Sequence, residues 1–173
     1  SDLNLPCVAE KECIVVEWMA DALLRCFPAA NALVLPPENL PRLENLLLHG
    51  EHQRPNKDYV GKNANVILRQ LGITADDSLR TIVVECPANH PFVTHEMMMS
   101  ILPVVRAANF EEAVDIAVEV EGGLRHTAGI HSDNIHHMSD YGKAINTTIF
   151  VKNAPHYAGI GYGAEGPTSF TIA

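Results

Sequence analysis

Apolar residues recur along this chain in two alternating rhythms. Short runs rich in β-branched residues fall at 12–17 (Glu-Cys-Ile-Val-Val-Glu), 80–86, 102–106, 125–131 and 147–152. Runs that are apolar without alternation suit strands covered on both faces, as in a parallel sheet. Between them lie segments of helical period. Residues 17–26 bring Trp18, Leu23 and Leu24 to one side, and 38–49 space Leu40, Leu43, Leu46 and Leu47 helically. Residues 58–71 (Val60, Ile67, Leu71) and 110–121 (Phe110, Val114, Ala117, Val118) repeat the theme. Asn109 is placed to cap the helix beginning at Phe110. Glu111 and Glu112 sit in its electropositive first turn, and Gly122 and Gly123 end it. Asp133 is the expected cap of a helix over about 134–145. This alternation predicts a three-layer α/β domain with a mostly parallel sheet of about five strands. Residues 48–57, with Gly50, Pro55 and several charges, read as an exposed loop within it. No internal repeat or low-complexity tract interrupts the pattern.

Composition narrows the function classes. The chain has 173 residues, enough for one domain with a full core, and is 47% hydrophobic and 19% charged. Its net charge of −9 carries no local basic cluster, which argues against a nucleic-acid surface. No apolar run nears the roughly 20 residues that span a bilayer, and no signal-peptide pattern opens the chain. Cys7, Cys13, Cys26 and Cys86 lie far apart with no C-x-x-C pair, so free thiols are expected rather than disulfides or a zinc site.

Three residues carry candidate chemistry. Cys7, in Leu-Pro-Cys-Val-Ala-Glu-Lys just before the first strand run, reads either as a packing thiol or as a nucleophile beside a core strand. A nucleophilic cysteine needs anchored backbone on both sides, and so little precedes Cys7 that the chain is expected to be a piece of a longer enzyme. Glu96, among the apolar residues after Asn89-His90-Pro91-Phe92, reads as a solvated helix residue or a buried anchor with its own partner. His126 enters a strand after the double glycine. It reads as structural or as an acid–base partner to a thiol.

Two further patterns are decoys. Gly161, Gly163 and Gly166 satisfy G-x-G-x-x-G, but a dinucleotide fingerprint must follow a strand and open a helix, and here the β-like 168–172 follows. The group His126, His131, His136 and His137 lacks metal-ligand spacing, so no metal is expected.

The combination of Asn4-Leu5-Pro6-Cys7-Val8-Ala9-Glu10-Lys11, the block from His90-Pro91-Phe92 to Val105-Arg106, Glu121-Gly122-Gly123 with His126-Thr127-Ala128, and Phe150-Val151-Lys152-Asn153-Ala154-Pro155 resembles the CoA-acylating aldehyde dehydrogenases of propanediol and ethanolamine utilisation. The resemblance implies that residues 1–173 are the catalytic lobe, with the NAD-binding lobe and its oxyanion-stabilising asparagine absent. It implies that Cys7 attacks the aldehyde, that Glu96 hydrogen-bonds the nicotinamide ribose, and that His126 lies near the thiohemiacetal and CoA end of the site. It further implies NAD as cofactor, CoA and a short-chain aldehyde as substrates, a homo-oligomer at full length, and a location in the cytoplasm or a bacterial microcompartment with its shell. Ser100 stands where related members often have proline. The rival readings are a non-enzymatic α/β assembly module and a papain-like Cys/His hydrolase in which Cys7 would open a helix and His126 act as base.

Overall fold

A computed structural model describes residues 3–163. The chain divides into two compact units, Ser1–Ala108 and Asn109–Ala173. The first runs β1 (Cys13–Val16), α1 (Glu17–Cys26), β2 (Ala32–Val34), α2 (Leu40–Leu47), β3 (Leu48–His49), β4 (Arg54–Pro55), α3 (Ala64–Gln70), β5 (Thr81–Glu85), α4 (Pro91–Thr94) and β6 (Ile101–Ala107). β1, β6, β5 and β2 lie side by side in that order, every pair parallel.

Three layers follow from the side-chain alternation of the strands. On one face Val15, Ala32, Val83 and Val104 pack with Ala20, Leu23 and Leu24 of α1. On the other, Ile82, Val84 and Ile101 meet Leu43 and Leu47 of α2 and Ile67 and Leu68 of α3. Phe92, Met97 and Met99 complete that second core. At the C-terminal end of the sheet Arg106 reaches Glu85 at 2.5 Å, Asp21 at 2.6 Å and Glu17 at 2.9 Å, linking β6, β5 and α1. A hydrogen bond from Arg106, and then its charge, hold the Asp21 carboxyl below the usual range. Exposed pairs of this kind contribute little energy, so the cluster chiefly orients its elements.

The second unit holds α5 (Phe110–Glu121), β7 (Thr127–Ile130), α6 (Ile135–Ile145) and β8 (Ile149–Lys152). Asn109 Oδ1 accepts from Glu112 N at 2.9 Å, and Gly122 closes α5 at φ 65°, a left-handed turn that suits glycine. β7 and β8 pair with one another in parallel.

The α/β class with its mostly parallel sheet holds, and the strand inventory is refined. Residues 125–131 and 147–152 do form strands, but as a two-stranded sheet of their own. The fourth strand of the central sheet is β2, only three residues long and too short to carry a periodic signal. The helix read over 58–71 spans Ala64–Gln70, because Gly61 turns left-handed at φ 69° and Asn63 is extended. Asn134, not Asp133, caps α6: its Oδ1 accepts from His136 N at 2.9 Å and His137 N at 3.4 Å. The loop at 48–57 folds back as the small β3–β4 hairpin, pinned by buried Asn56, whose side chain donates to Leu46 O at 2.9 Å. Among the described residues no helix is long and apolar enough to cross a membrane.

Ile82, fully buried in the central sheet, is expected on truncation to alanine to lose about 2–5 kcal/mol of stability. Trp18, 79% exposed, is expected to change stability by less than about 0.5 kcal/mol as Trp18→Ser. Urea denaturation of the two variants checks both values.

Candidate active site

Cys7 lies in a tight turn ahead of β1, not beside the strand itself. Ala9 N donates to Pro6 O at 2.8 Å, and Val8 is buried while Cys7 is exposed. The turn is entered through Leu3 and Asn4, both left-handed (φ 59° and 57°). Asparagine tolerates that region and leucine rarely does. Asn4 is itself buried, so the entry is pinned despite its conformation.

The four thiols separate by environment. Burial, with the Glu12 charge second, pushes the Cys13 thiol up to about 11. Burial, with Glu44 second, pushes Cys86 up to about 12. Both are held as neutral thiols near neutral pH, and only a thiolate attacks a carbonyl efficiently. Cys26, exposed, ends α1. Cys7 is thus the one exposed thiol that stands on a turn fixed from both sides.

Glu96 follows α4 and is exposed, with buried Met97 next to it. It is neither helical nor buried, which departs from both expectations for it. Among the described residues its carboxylate has no hydrogen-bond or ion-pair partner, leaving its oxygens open to incoming hydroxyls. The segment leading to it is fixed by His90, a residue that sequence reading did not single out. His90 Nδ1 accepts from Phe92 N at 3.0 Å, capping α4, so Nε2 bears the proton and donates to Glu44 Oε1 at 2.8 Å. The signal was the His-Pro pair itself, since proline favours the first helical position and the residue before it the cap. Ser100, fully buried, donates its hydroxyl to Lys62 O at 2.8 Å.

His126 belongs to the second unit, at the entry to β7 as expected. The carboxylate of Glu121 shapes the turn before it, accepting from Gly123 N at 2.9 Å and from His126 N at 3.2 Å. The ring Nδ1 lies 2.6 Å from Thr127 Oγ1, which sets the ring's orientation. Nε2 is buried with no hydrogen-bond partner among the described residues.

Gly161 closes a 3-10 turn over His156–Ile160 at φ 87°. Ala164 to Gly166 and the run 168–172 lie outside the described residues. His137 stacks on Phe110 with ring centroids 3.9 Å apart, while its neighbour His136 is exposed. Among the described residues no three His, Cys, Asp or Glu side chains are grouped to hold a metal ion.

No family model matches the chain. It is 45% identical over 175 residues to the acetylating acetaldehyde dehydrogenase EutE of Salmonella typhimurium, which takes in 99% of this chain and 38% of that protein. It is 42% identical over 173 residues to a CoA-propanoylating propanal dehydrogenase of the same organism, covering 99% of this chain and 37% of the relative. The chain thus spans well under half the length of the curated relatives it matches. Solved structures agree. The propionaldehyde dehydrogenase of Rhodopseudomonas palustris, with bound CoA and an acylated cysteine, superposes with a TM-score of 0.92 at 45% identity over 99% of this chain and 39% of that one. An engineered glycolyl-CoA reductase with bound NADP+ gives 0.93 at 44% identity, covering 99% and 39%. A propionaldehyde dehydrogenase from the fucose-utilisation microcompartment of Clostridium phytofermentans gives 0.92 at 42%, again covering 99% and 39%.

The burial of two thiols makes stability fall at alkaline pH. Their ordinary value is 9.0, so above it the unfolded chain sheds these protons while the folded chain keeps them, up to about 11 for Cys13 and about 12 for Cys86. The unfolded state then binds fewer protons, and stability declines as pH rises from about 9 to 11. Urea midpoints measured between pH 8 and 10.5 should drop, and the drop should be shallower in the Cys13→Ala, Cys86→Ala double variant. At pH 8 an aromatic disulfide reagent should modify Cys7 and Cys26 quickly and Cys13 and Cys86 at least tenfold more slowly.

Proposed function

We propose that this chain belongs with the CoA-acylating aldehyde dehydrogenases it resembles, and that residues 1–173 are the nucleophile-bearing catalytic part of an enzyme converting a short-chain aldehyde and CoA to acyl-CoA. The observation that carries this is an exposed Cys7 on a pinned turn, in a chain aligned over 99% of its length with acylating enzymes. A Cys/His hydrolase of papain type needs its cysteine at the opening of a helix, and Cys7 sits in a turn that leads to a strand. A purely assembling module would not account for relatives that are enzymes throughout.

In this reading the Cys7 thiolate adds to the aldehyde carbonyl and forms a thiohemiacetal. A bound nicotinamide dinucleotide, taken to be NAD, would supply the hydride acceptor for oxidation of this adduct to a thioester, the hydroxyl proton passing to solvent. Glu96 accepts hydrogen bonds from the ribose hydroxyls, a role its unpartnered carboxylate fits. The CoA thiol, its proton taken by His126 Nε2, then attacks the thioester carbonyl. The Cys7 sulfur leaves as thiolate, and acyl-CoA is released. The same reading takes a homo-oligomer and a cytoplasmic or microcompartment location, supported by the microcompartment enzyme among the relatives.

Run backwards from acyl-CoA, the last step needs no dinucleotide. Brief incubation of the chain with propionyl-CoA should place one propionyl group on Cys7, located by peptide mass spectrometry, and Cys7→Ser should abolish it. Acylation of Cys13, Cys26 or Cys86 with Cys7 untouched would sink the assignment. The chain alone should yield no NADH from propionaldehyde, CoA and NAD+. In a polypeptide extended to the length of its relatives, Glu96→Gln should weaken NAD+ binding and slow hydride transfer roughly 10–100-fold, as fits loss of a charge-assisted hydrogen bond, while Cys7 still forms its adduct.

A further inference from the structure

One direct contact and one route through Gly61 join the Cys7 segment to the Glu96 segment, and they fall on opposite sides of both residues. Downstream of Cys7, the Lys11 ammonium donates to Val93 O in the last turn of α4, upstream of Glu96. Upstream of Cys7, Leu5 lies over Gly61. A methyl built on Gly61 would sit 3.7 Å from Leu5 Cδ1, and Gly61 N donates to Met98 O at 2.9 Å, just past Glu96. The two segments therefore run in opposite directions, bracketed at each end.

The brackets differ in kind. The Leu5 contact is apolar and undirected. The Lys11 bond is charge-assisted and directed at a carbonyl near a helix C-terminus, where intrahelical partners run out and the helix dipole favours a cation. Lys11 itself is held by Glu12, 2.9 Å away. That pair is off the hydrogen-bond axis, so Glu12 Oε2 accepts no hydrogen bond and the attraction is coulombic. The lysine's directed bond thus goes to Val93 O.

We propose that Lys11 is a positioning residue that sets the offset between the Cys7 turn and the segment carrying Glu96. The proposal rests on the catalytic reading of those two residues. Its physical content is that a thiohemiacetal on Cys7 must present its hydrogen to a nicotinamide whose ribose Glu96 holds, and misplacement by about 1 Å costs on the order of 100-fold in rate.

The test compares Lys11→Met with Lys11→Arg in the whole chain, by amide hydrogen exchange and by alkylation of each thiol. Lys11→Met should speed exchange of residues 94–98 at least tenfold and change the Cys7 alkylation rate at least fivefold relative to Cys26. Cys13 and Cys86 should stay protected, which general loosening would not allow. Lys11→Arg, which keeps a charged donor, should restore both readouts. Unchanged exchange at 94–98 and an unchanged Cys7 rate in Lys11→Met would overturn the proposal. So would equal exposure of Cys13 and Cys86 in both variants. Failure of Cys7 to take an acyl group would instead remove the catalytic reading and leave the tether measurable.

Discussion

Everything in the first unit depends on β6 being paired along both edges. Val104 to Ala107 align with β1, and Ile101 to Val104 align with β5. A strand so enclosed must be apolar on both faces, and Ile101, Val104, Val105 and Ala107 are all nearly inaccessible. The cost appears at Pro103, opposite Val84, which cannot donate to the ladder. The sheet tolerates it because Val104 O accepts from Cys86 N on the β5 side, so Pro103 turns its nitrogen to the β1 side, where pairing begins only at Cys13 opposite Val104. With β6 fixed, the residues that run into it from Glu96 and those that run out to Arg106 are fixed as well.

That constraint explains how an irregular stretch can be a precise one. From His95 to Ser100 the chain has no regular structure, yet Met97, Met99 and Ser100 are buried and Met98 adopts φ 54° to let its carbonyl meet Gly61. Buried alternation anchors the stretch and leaves Glu96 outside. The Cys7 turn uses the same device, with Asn4 and Val8 buried and Cys7 outward. Rigid backbone with one side chain exposed is what the roles proposed for Cys7 and Glu96 would require.

Much of this was legible in the sequence, for identifiable reasons. The bounds of α1 and α5 were readable, but Trp18, read on one apolar side with Leu23 and Leu24, is 79% exposed, and Ala20 is the buried residue of α1. β5 and β6 were readable because β-branched and apolar residues dominate both runs. β2 was not, since three residues have no period, and its place is set by pairing with β5 far along the chain. Strand content in residues 125–131 and 147–152 was legible while sheet membership was not, because parallel partners are chosen by tertiary contact. Cys7 and His126 stood out by chemistry and position. The surroundings of Glu96 did not, since its exposure is decided by which methionines beside it turn inward. His90 and Lys11 act through partners 46 and 82 residues away, Glu44 and Val93. No local pattern encodes such pairs.

The chemistry of an imidazole such as that of His126 bears on which nucleophile it can activate. In general an imidazole, at about 6.5, takes a proton from a thiol at about 8.5 for roughly 3 kcal/mol, whereas taking one from bulk water at about 15.7 costs roughly 12 kcal/mol. Without a second catalytic group to lower that barrier, an imidazole discriminates strongly for thiol over water. Thr127 orients the ring through Nδ1 and leaves Nε2 buried, so the open nitrogen lies where bulk water has little access. Glu12, a carboxylate close to Cys7 in sequence, is ion-paired with Lys11 at 2.9 Å. An imidazole of this kind is better suited to take a proton from a thiol than from water, which agrees with the acyl transfer to CoA proposed above.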